Sequence, residues 1–183
     1  MPVLDPSSPT PEKTLPDYLK PGLKLIFIGI NPGHYSAQVG RYYARPGNLF
    51  WWGLSNSGLV PRPVTPSDDE KLLDWGIGLT DVVKRPTHSS GDLRQDEFDA
   101  GVKRAVQTIE TYAPQVACFV GLLGATAFLG QRVQPGPVAE RIGTTRLFAI
   151  PSPSRRNAHY GQEGILRFFK RLAAFVNGPR DVS

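Results

Sequence analysis

The chain has 183 residues, of which 40% are hydrophobic and 20% are charged. This composition excludes an intrinsically disordered protein, and the length suffices for one domain with a sizeable core. The net charge of +5 favours an anionic partner without identifying one, because many soluble proteins are mildly basic. The single cysteine, Cys118, excludes an internal disulfide, fits a reducing compartment and is expected in the core.

The first 21 residues differ in composition from the rest of the chain. They carry six prolines and show no apolar period, so we predict an extended, partly disordered arm over residues 1 to 21. A single domain is predicted over residues 22 to 178, followed by a short tail at residues 179 to 183. The longest mostly apolar segment, about residues 116 to 129, is interrupted by glycines and is too short to span a membrane. The N-terminus lacks a signal-peptide pattern, so we expect a cytoplasmic protein.

The domain begins with a predicted strand at residues 25 to 28, Leu-Ile-Phe-Ile. A continuous apolar run bounded by glycine and proline is typical of a strand that is buried on both faces, as in a parallel sheet. The next residues, Gly-Ile-Asn-Pro-Gly at 29 to 33, lie where an open α/β sheet binds its ligand, beyond the carboxyl end of a strand. After a loop, a helix with a strongly apolar face is predicted around residues 46 to 58.

The remaining elements alternate between strands and helices. Further strands are predicted at residues 77–83, 115–120, 141–142 and 146–150, with a turn at residues 135–137. Helices are predicted at residues 71–73, after an S-x-x-E capping box from Ser67 to Glu70, and at residues 95–112, 124–129 and 164–176. This alternation predicts an α/β fold, a three-layer sandwich in which helices flank a central, mostly parallel sheet.

Common cofactor and hydrolase motifs are missing from the sequence. Residues 29–33 do not match G-x-G-x-x-G, and the glycine-rich residues 121–126 lack the P-loop lysine. The histidines, at positions 34, 88 and 159, are scattered, and the chain has neither a Cys/His cluster with zinc-ligand spacing nor a G-x-S-x-G elbow. Most cofactor enzymes and α/β-hydrolases are therefore excluded.

Three sequence blocks resemble the mismatch-specific uracil/thymine-DNA glycosylases, a family of the uracil-DNA glycosylase superfamily. The blocks are GINPG at 29–33 with YYARPGNLFWW at 42–52, GLTDVVKRPT at 78–87, and IPSPS at 150–154. They occur in family order across about residues 24 to 176. The resemblance implies a monofunctional DNA glycosylase that hydrolyses the N-glycosidic bond of uracil, preferentially in G·U mismatches, with G·T and ethenocytosine as further substrates. It implies no metal, no other cofactor and no Schiff base.

The resemblance assigns Asn31 to the position that places the hydrolytic water. An amide accepts a hydrogen bond from water but cannot take its proton near neutral pH, so a slow enzyme is expected. The alternative is an ordinary turn asparagine. Asp92 is the only carboxylate of the polar loop at residues 87–92, which is predicted to leave the same edge of the sheet. It either assists the water and the sugar cation or caps the following helix, and the sequence favours neither role.

The resemblance also assigns residues that bind the flipped base. Tyr43 matches the aromatic residue that stacks on the base, although the neighbouring Tyr42 could exchange roles with it. The remaining predicted base-binding residues are Ile30, Gly33, Ser36 and Ser152. Backbone N–H groups of the first three could meet uracil oxygens, and Ser36 aligns with a small residue that admits the pyrimidine 5-position. Ser152 departs from the asparagine that is frequent in the closing motif. Asn48 is expected to be structural.

A basic loop after the last strand is the predicted DNA contact. It comprises Ser154, Arg155, Arg156 and Asn157, where the family inserts a wedge and contacts the orphaned guanine. Arginine can hydrogen-bond guanine or pair with phosphate, whereas the alternative is a solvated loop. The expected partner is double-stranded DNA with a flipped uracil or related base, bound by a monomer that associates with the nucleoid in a bacterium. Two rival interpretations are a superfamily branch with another base preference and a catalytically weak mismatch- or lesion-binding protein.

Overall fold

The computed structural model describes residues 13 to 157 and 159 to 179, and in this part of the chain a five-stranded sheet lies at the centre. The strands are β1 (Leu25–Gly29), β2 (Ile77–Asp81), β3 (Val116–Val120), β4 (Gly136–Ile142) and β5 (Thr145–Ile150). The sheet order is β2-β1-β3-β5-β4, in which all neighbours are parallel except β4, which pairs antiparallel with β5. The parallel strands are buried at every position, which explains their continuous apolar sequences.

Helices cover both faces of this sheet. They are α1 (His34–Val39), α2 (Phe50–Ser55), α3 (Gln95–Tyr112), α4 (Leu122–Leu129) and α5 (Gly161–Asn177). One core cluster joins the sheet to α2 and α5, and a second joins its opposite face to α3 and α4. The predicted three-layer α/β sandwich with a mostly parallel sheet is therefore confirmed. Among residues 13–157 and 159–179, no helix combines the length and apolar character needed to cross a membrane.

The predicted capping box from Ser67 to Glu70 is wrong. The box lies two residues earlier, where the Thr65 backbone N–H donates a 3.0 Å hydrogen bond to the Asp68 carboxylate. It starts a short 3₁₀ turn, Pro66–Asp68, which is followed by a second one, Glu70–Trp75. Proline is favoured at the first position of a helical turn, and Pro66 therefore sets the start at Thr65.

Three further elements differ from the sequence prediction. The segment after β1 contains α1, a helix of six residues that is too short for an apolar period to show. The helix predicted at residues 46–58 is limited to α2. The edge strand β4 begins at Gly136, inside the predicted turn, because Pro137 lies on an edge strand where its missing N–H is tolerated.

The described end of the predicted arm contacts the domain. Leu15 is buried, and Tyr18 exchanges backbone hydrogen bonds of 2.9 and 3.0 Å with Leu79 of β2. Lys84 binds both the Leu15 carbonyl and the Asp17 carboxylate. Residues 13 to 21 thus pack along the β2 edge, whereas residues 1 to 12 and 180 to 183 lie outside the described residues.

The sheet order fixes where a ligand site can form. After β1 the chain adds β2 on one side and later returns to place β3 on the other side. Such a switch leaves a crevice between the carboxyl ends of β1 and β3, the usual ligand position in open α/β folds. The loops that follow β1, β2, β3 and β5 all leave from this carboxyl edge.

Candidate active site

The amide of Asn31, just beyond β1, has a fixed orientation. Its Nδ2 donates to the Arg85 carbonyl at 2.9 Å, to the Pro32 carbonyl at 3.3 Å and to the Thr87 hydroxyl at 2.7 Å. A carbonyl can only accept, so the amide nitrogen must face this loop and Oδ1 must face away from it. Within residues 13–157 and 159–179, no group donates to Oδ1. That oxygen is therefore available to accept a hydrogen bond from water.

Thr87 joins the loop after β1 to the loop after β2. Its side chain is buried, and its hydroxyl donates to the Ser89 carbonyl at 2.7 Å while it accepts from Asn31. Its backbone N–H donates to Pro32, and its carbonyl accepts from His34, at 3.1 and 3.2 Å. The two loops therefore behave as one unit. Thr87 is not among the predicted site residues, although its position at the end of the second block was a usable signal.

Arg85 anchors this unit to α3. Its guanidinium binds the Glu97 carboxylate through two hydrogen bonds of 2.6 and 2.9 Å and also donates to the Asp92 carbonyl at 3.0 Å. The hydrogen bond from Arg85, assisted by the Arg94 backbone N–H, lowers the pKa of Glu97 to about 2. The Arg85–Glu97 ion pair therefore stays charged at neutral pH. It fixes the position of Arg85, whose carbonyl accepts the hydrogen bond from Asn31 Nδ2.

Asp92 ends a short 3₁₀ turn, Ser90–Asp92, and is exposed. Its Oδ2 accepts a 2.9 Å hydrogen bond from the Ser89 backbone N–H, so the carboxylate caps this turn rather than the helix that follows. Hydrogen bonds link Asp92 through Ser89 and Thr87 to Asn31. Its catalytic role stays a prediction.

The two neighbouring tyrosines have different environments. Tyr42 is 1% exposed, and its hydroxyl donates to the Pro16 carbonyl at 2.8 Å, so it belongs to the core. Tyr43 is half-buried, and its ring stacks on Phe50 with centroids 4.0 Å apart and planes inclined by 22°. Its φ of +50° is rare for a residue with a Cβ. Of the two rings, Tyr43 keeps the accessible surface that a stacking platform needs.

The other predicted base-binding residues have local contacts of their own. The Ile30 side chain packs under α4, where a Cβ on Gly124 would lie 2.5 Å from its Cγ1. Gly33 is exposed at the start of α1. The buried Ser36 hydroxyl accepts from the Ala44 N–H at 3.1 Å. These contacts shape the loop between β1 and α2, and the pocket assignments stay predictions.

The loop after β5 is closed by its own polar residues. The Ser152 hydroxyl accepts from the Ser154 N–H at 3.3 Å, and its carbonyl accepts from Asn157 Nδ2 at 3.0 Å. The Asn157 N–H also donates to the Ser154 carbonyl at 2.9 Å. Pro153 accepts from the Leu49 N–H at 2.9 Å, which ties this loop to the start of α2. The Asn48 side chain accepts a 2.9 Å hydrogen bond from the Phe50 N–H at the start of α2, a local contact of the kind expected of a structural residue.

Three arginines surround one cleft at this junction. The cleft has a volume of about 230 Å³ and is lined by Arg45, Pro46, Asn48, Ser154, Arg155 and Arg156. Arg155 lies across Gly47, and Arg156 donates to the His88 carbonyl at 3.2 Å. Across residues 13–157 and 159–179, no carboxylate forms an ion pair with any of these arginines. Arg45, which the sequence analysis did not single out, therefore belongs to the same cationic surface.

Two of the scattered histidines meet at the same edge. The His34 and His88 rings lie with their centroids 4.3 Å apart, because the loops that carry them are hydrogen-bonded through Thr87. This contact could not be predicted from the sequence, because the two histidines lie far apart along the chain. Within the described ranges, no group of three or more His, Cys, Asp or Glu residues is arranged to hold a metal ion.

The fold and the site together define an α/β protein with a polar, cationic crevice at the carboxyl edge of its sheet. The sequence profile of the Uracil DNA glycosylase superfamily matches residues 16–176, and the chain belongs to this superfamily. It is therefore a DNA glycosylase, a hydrolase whose substrate is DNA.

A solved structure shares this fold. It is a solution NMR structure from Methanosarcina acetivorans, provisionally described as a uracil DNA glycosylase. The alignment has a TM-score of 0.56 and 18% identity, and it covers 88% of this chain and 98% of that chain. At this identity the likeness supports the fold alone.

Proposed function

We propose that the protein is a monofunctional, mismatch-specific uracil-DNA glycosylase that removes uracil opposite guanine, and also thymine in G·T pairs and ethenocytosine. The observation that carries the proposal is the Asn31 amide, whose nitrogen is held by two carbonyls and one hydroxyl while its oxygen accepts from none of the described donors. Such an oxygen orients a water without removing its proton.

The proposed reaction begins when uracil leaves the base stack and its face meets the Tyr43 ring. The glycosidic C1′–N1 bond breaks, and its electron pair leaves with uracil as an anion. The water on Asn31 Oδ1 adds to the positive C1′ and then loses a proton to solvent, which gives an abasic site. Backbone N–H groups near Gly33 and Ser36 are proposed to stabilise the departing anion, as in an oxyanion hole. Because no strong base is present at position 31, this chemistry predicts a slow enzyme.

Preference for guanine opposite the lesion is proposed to come from the arginine cleft. Arg155 and Arg156 can donate to the acceptor edge of guanine or to phosphates, and Arg45 adds a third positive charge. Like charges that lie together and form no ion pair with a described carboxylate favour an anionic or acceptor-rich ligand. A duplex that has lost one base from the stack presents both kinds of group.

The test is a panel of labelled oligonucleotides that contain G·U, A·U, G·T, G·ethenocytosine or single-stranded uracil. With protein in excess, alkali should reveal strand breaks at the lesion, fastest for G·U. Binding to G·U duplex without breaks would instead support a mismatch-binding protein. Equal cleavage of all uracil substrates would contradict the mismatch preference.

A further inference from the structure

Two buried polar atoms lie unpaired beneath the predicted stacking ring. In the described part of the chain, the Tyr43 hydroxyl and Asp81 Oδ2 are shielded from solvent and have no hydrogen-bond partner. Both side chains approach Gly29, where a Cβ would lie 3.1 Å from the Tyr43 hydroxyl and 2.3 Å from Asp81 Oδ1. Any larger residue at position 29 would fill this space. The sequence therefore leaves room for these two polar groups in the middle of a core.

The sheet register explains why Asp81 reaches this point. Asp81 at the end of β2 pairs with Gly29 at the end of β1, so its side chain projects from the face that carries α2. The nearby cations are already engaged. Lys84 binds Asp17, and Arg104 donates to the Asp81 backbone carbonyl at 2.7 Å rather than to its carboxyl group. Among the described residues, Tyr43 brings a hydroxyl of matching chemistry to the same point beside Gly29.

We propose that Asp81 is a positioning residue for Tyr43. Its carboxyl group pairs with the Tyr43 hydroxyl through one water above Gly29, and so fixes the tilt of the ring on which the flipped base stacks. Phe50 stacks on the face of the ring, and Asp81 Oδ1 lies beside Gly29, as does the hydroxyl at the tip of the ring. Leaving two such atoms unpaired in a core would be costly, which favours the pairing. The role of the ring as a platform rests on the proposed function, whereas the pairing itself does not.

The pairing is tested without DNA by a double-mutant cycle in urea unfolding. The variants are Tyr43→Phe, Asp81→Leu, which keeps the branching of aspartate, and both together. A pair predicts that each single variant is less stable than the wild type and that the double variant is more stable than the sum of the two losses. A Tyr43→Phe protein at least as stable as the wild type would overturn the proposal, because removing an unpaired buried hydroxyl relieves a cost. If Asp81→Leu does not fold, Asp81→Asn completes the cycle.

The positioning role is tested by comparing excision of uracil from one duplex with affinity for a second duplex that has no base to excise. Asp81→Leu should lower single-turnover excision of uracil about tenfold or more, whereas Asp81→Asn, which keeps an acceptor, should retain most of the rate. Affinity for a duplex that carries a tetrahydrofuran abasic analogue should not change, because that duplex has no base to stack. If Asp81→Leu weakened affinity for the abasic-analogue duplex by the same factor as it lowered the excision rate, the variant would be generally damaged, which would contradict a positioning role. An inactive wild type would refute the proposed function, while the unfolding cycle would still report on the pair.

Discussion

The Asn31 amide nitrogen donates a 2.7 Å hydrogen bond to the Thr87 hydroxyl, which donates its own proton to the Ser89 carbonyl at 2.7 Å. Because the Thr87 hydroxyl donates its only proton to Ser89, it can only accept a hydrogen bond from the Asn31 amide. Together with the Arg85 carbonyl, this forces the amide nitrogen inward and Oδ1 outward. The direction of the predicted water-binding oxygen thus depends on a side chain contributed by the loop after β2.

Thr87→Val is the first prediction. Valine has the shape of threonine but removes the acceptor, so the Asn31 amide loses one of its fixed contacts. Single-turnover excision should fall about tenfold, as expected for one lost hydrogen bond of roughly 1.4 kcal/mol, while duplex affinity stays the same. Thr87→Ser keeps the hydroxyl and should restore most of the rate. A Thr87→Val enzyme with the wild-type rate would show that the hydroxyl does not set the amide orientation.

The arginine cleft gives a prediction about salt. Replacing Arg155 and Arg156 with alanine should weaken binding to lesion duplex and flatten the dependence of log affinity on log salt by about two charges, because fewer counterions are released. Fluorescence anisotropy at several salt concentrations measures both quantities. Adding Arg45→Ala should flatten the slope further.

Arg167 and Lys170 provide the matched control for this experiment. They are exposed on the outer face of α5 and carry the same total charge as the arginine pair. Replacing both with alanine should leave the salt slope close to that of the wild type. If the two double variants flatten the slope equally, the basic loop is an ordinary solvated surface.

Asp81 gives a prediction about pH and stability. The pKa of Asp81 is raised to about 7, mainly by burial and to a smaller extent by Asp17, against the opposing charges of Lys84 and Arg104. Tyr42 and Tyr43 face it from the loop before α2. The folded state therefore holds a proton that the unfolded state releases at much lower pH. The stability contributed by Asp81 falls as pH rises from about 4 to about 7 and is constant above that.

Asp81→Asn removes this titration. Relative to the wild type, its free energy of unfolding should increase as pH rises between about 4 and 7, by up to roughly 4 kcal/mol, because the pKa of Asp81 in the folded state, about 7, lies well above that in the unfolded chain. Urea unfolding at a series of pH values measures this difference. A difference that does not vary with pH would show that Asp81 titrates normally in the folded protein.

Asp92→Asn separates the two roles of that residue. Asparagine caps a turn as well as aspartate does, so the Ser89 N–H keeps its acceptor and the melting temperature should not change. A catalytic carboxylate predicts a strong loss of single-turnover rate from the same variant. A rate equal to that of the wild type would remove Asp92 from the mechanism.

Periodicity and motif spacing predicted much of the fold. The apolar runs of β1 and β3 and the inward face of α5 follow directly from burial, and Ile165, Phe168 and Leu172 are buried as predicted. Short elements such as α1 were not predicted, because six residues are too few to show a helical apolar period. The capping box predicted at Ser67 was wrong because Pro66 favours a helical turn that starts two residues earlier. The four-residue capping pattern takes no account of a neighbouring proline.

The candidate site was less accessible to sequence reasoning. Asn31 and Tyr43 could be assigned by resemblance, but Thr87 acts through a contact across two loops that no local pattern encodes. The meeting of His34 with His88 likewise requires the sheet register. Asp81 Oδ2, which has no partner among the described residues, could be recognised only once the neighbouring Gly29 was known.

Single-turnover excision of uracil from a G·U duplex by Asn31→Ala, measured beside duplex affinity, tests the central claim most directly. The loss of Oδ1 removes water placement but no DNA contact, so the variant should lose most of the excision rate and bind the duplex nearly as tightly as the wild type. Cleavage by Asn31→Ala at the wild-type rate would contradict the assignment of Asn31 as the residue that places the water.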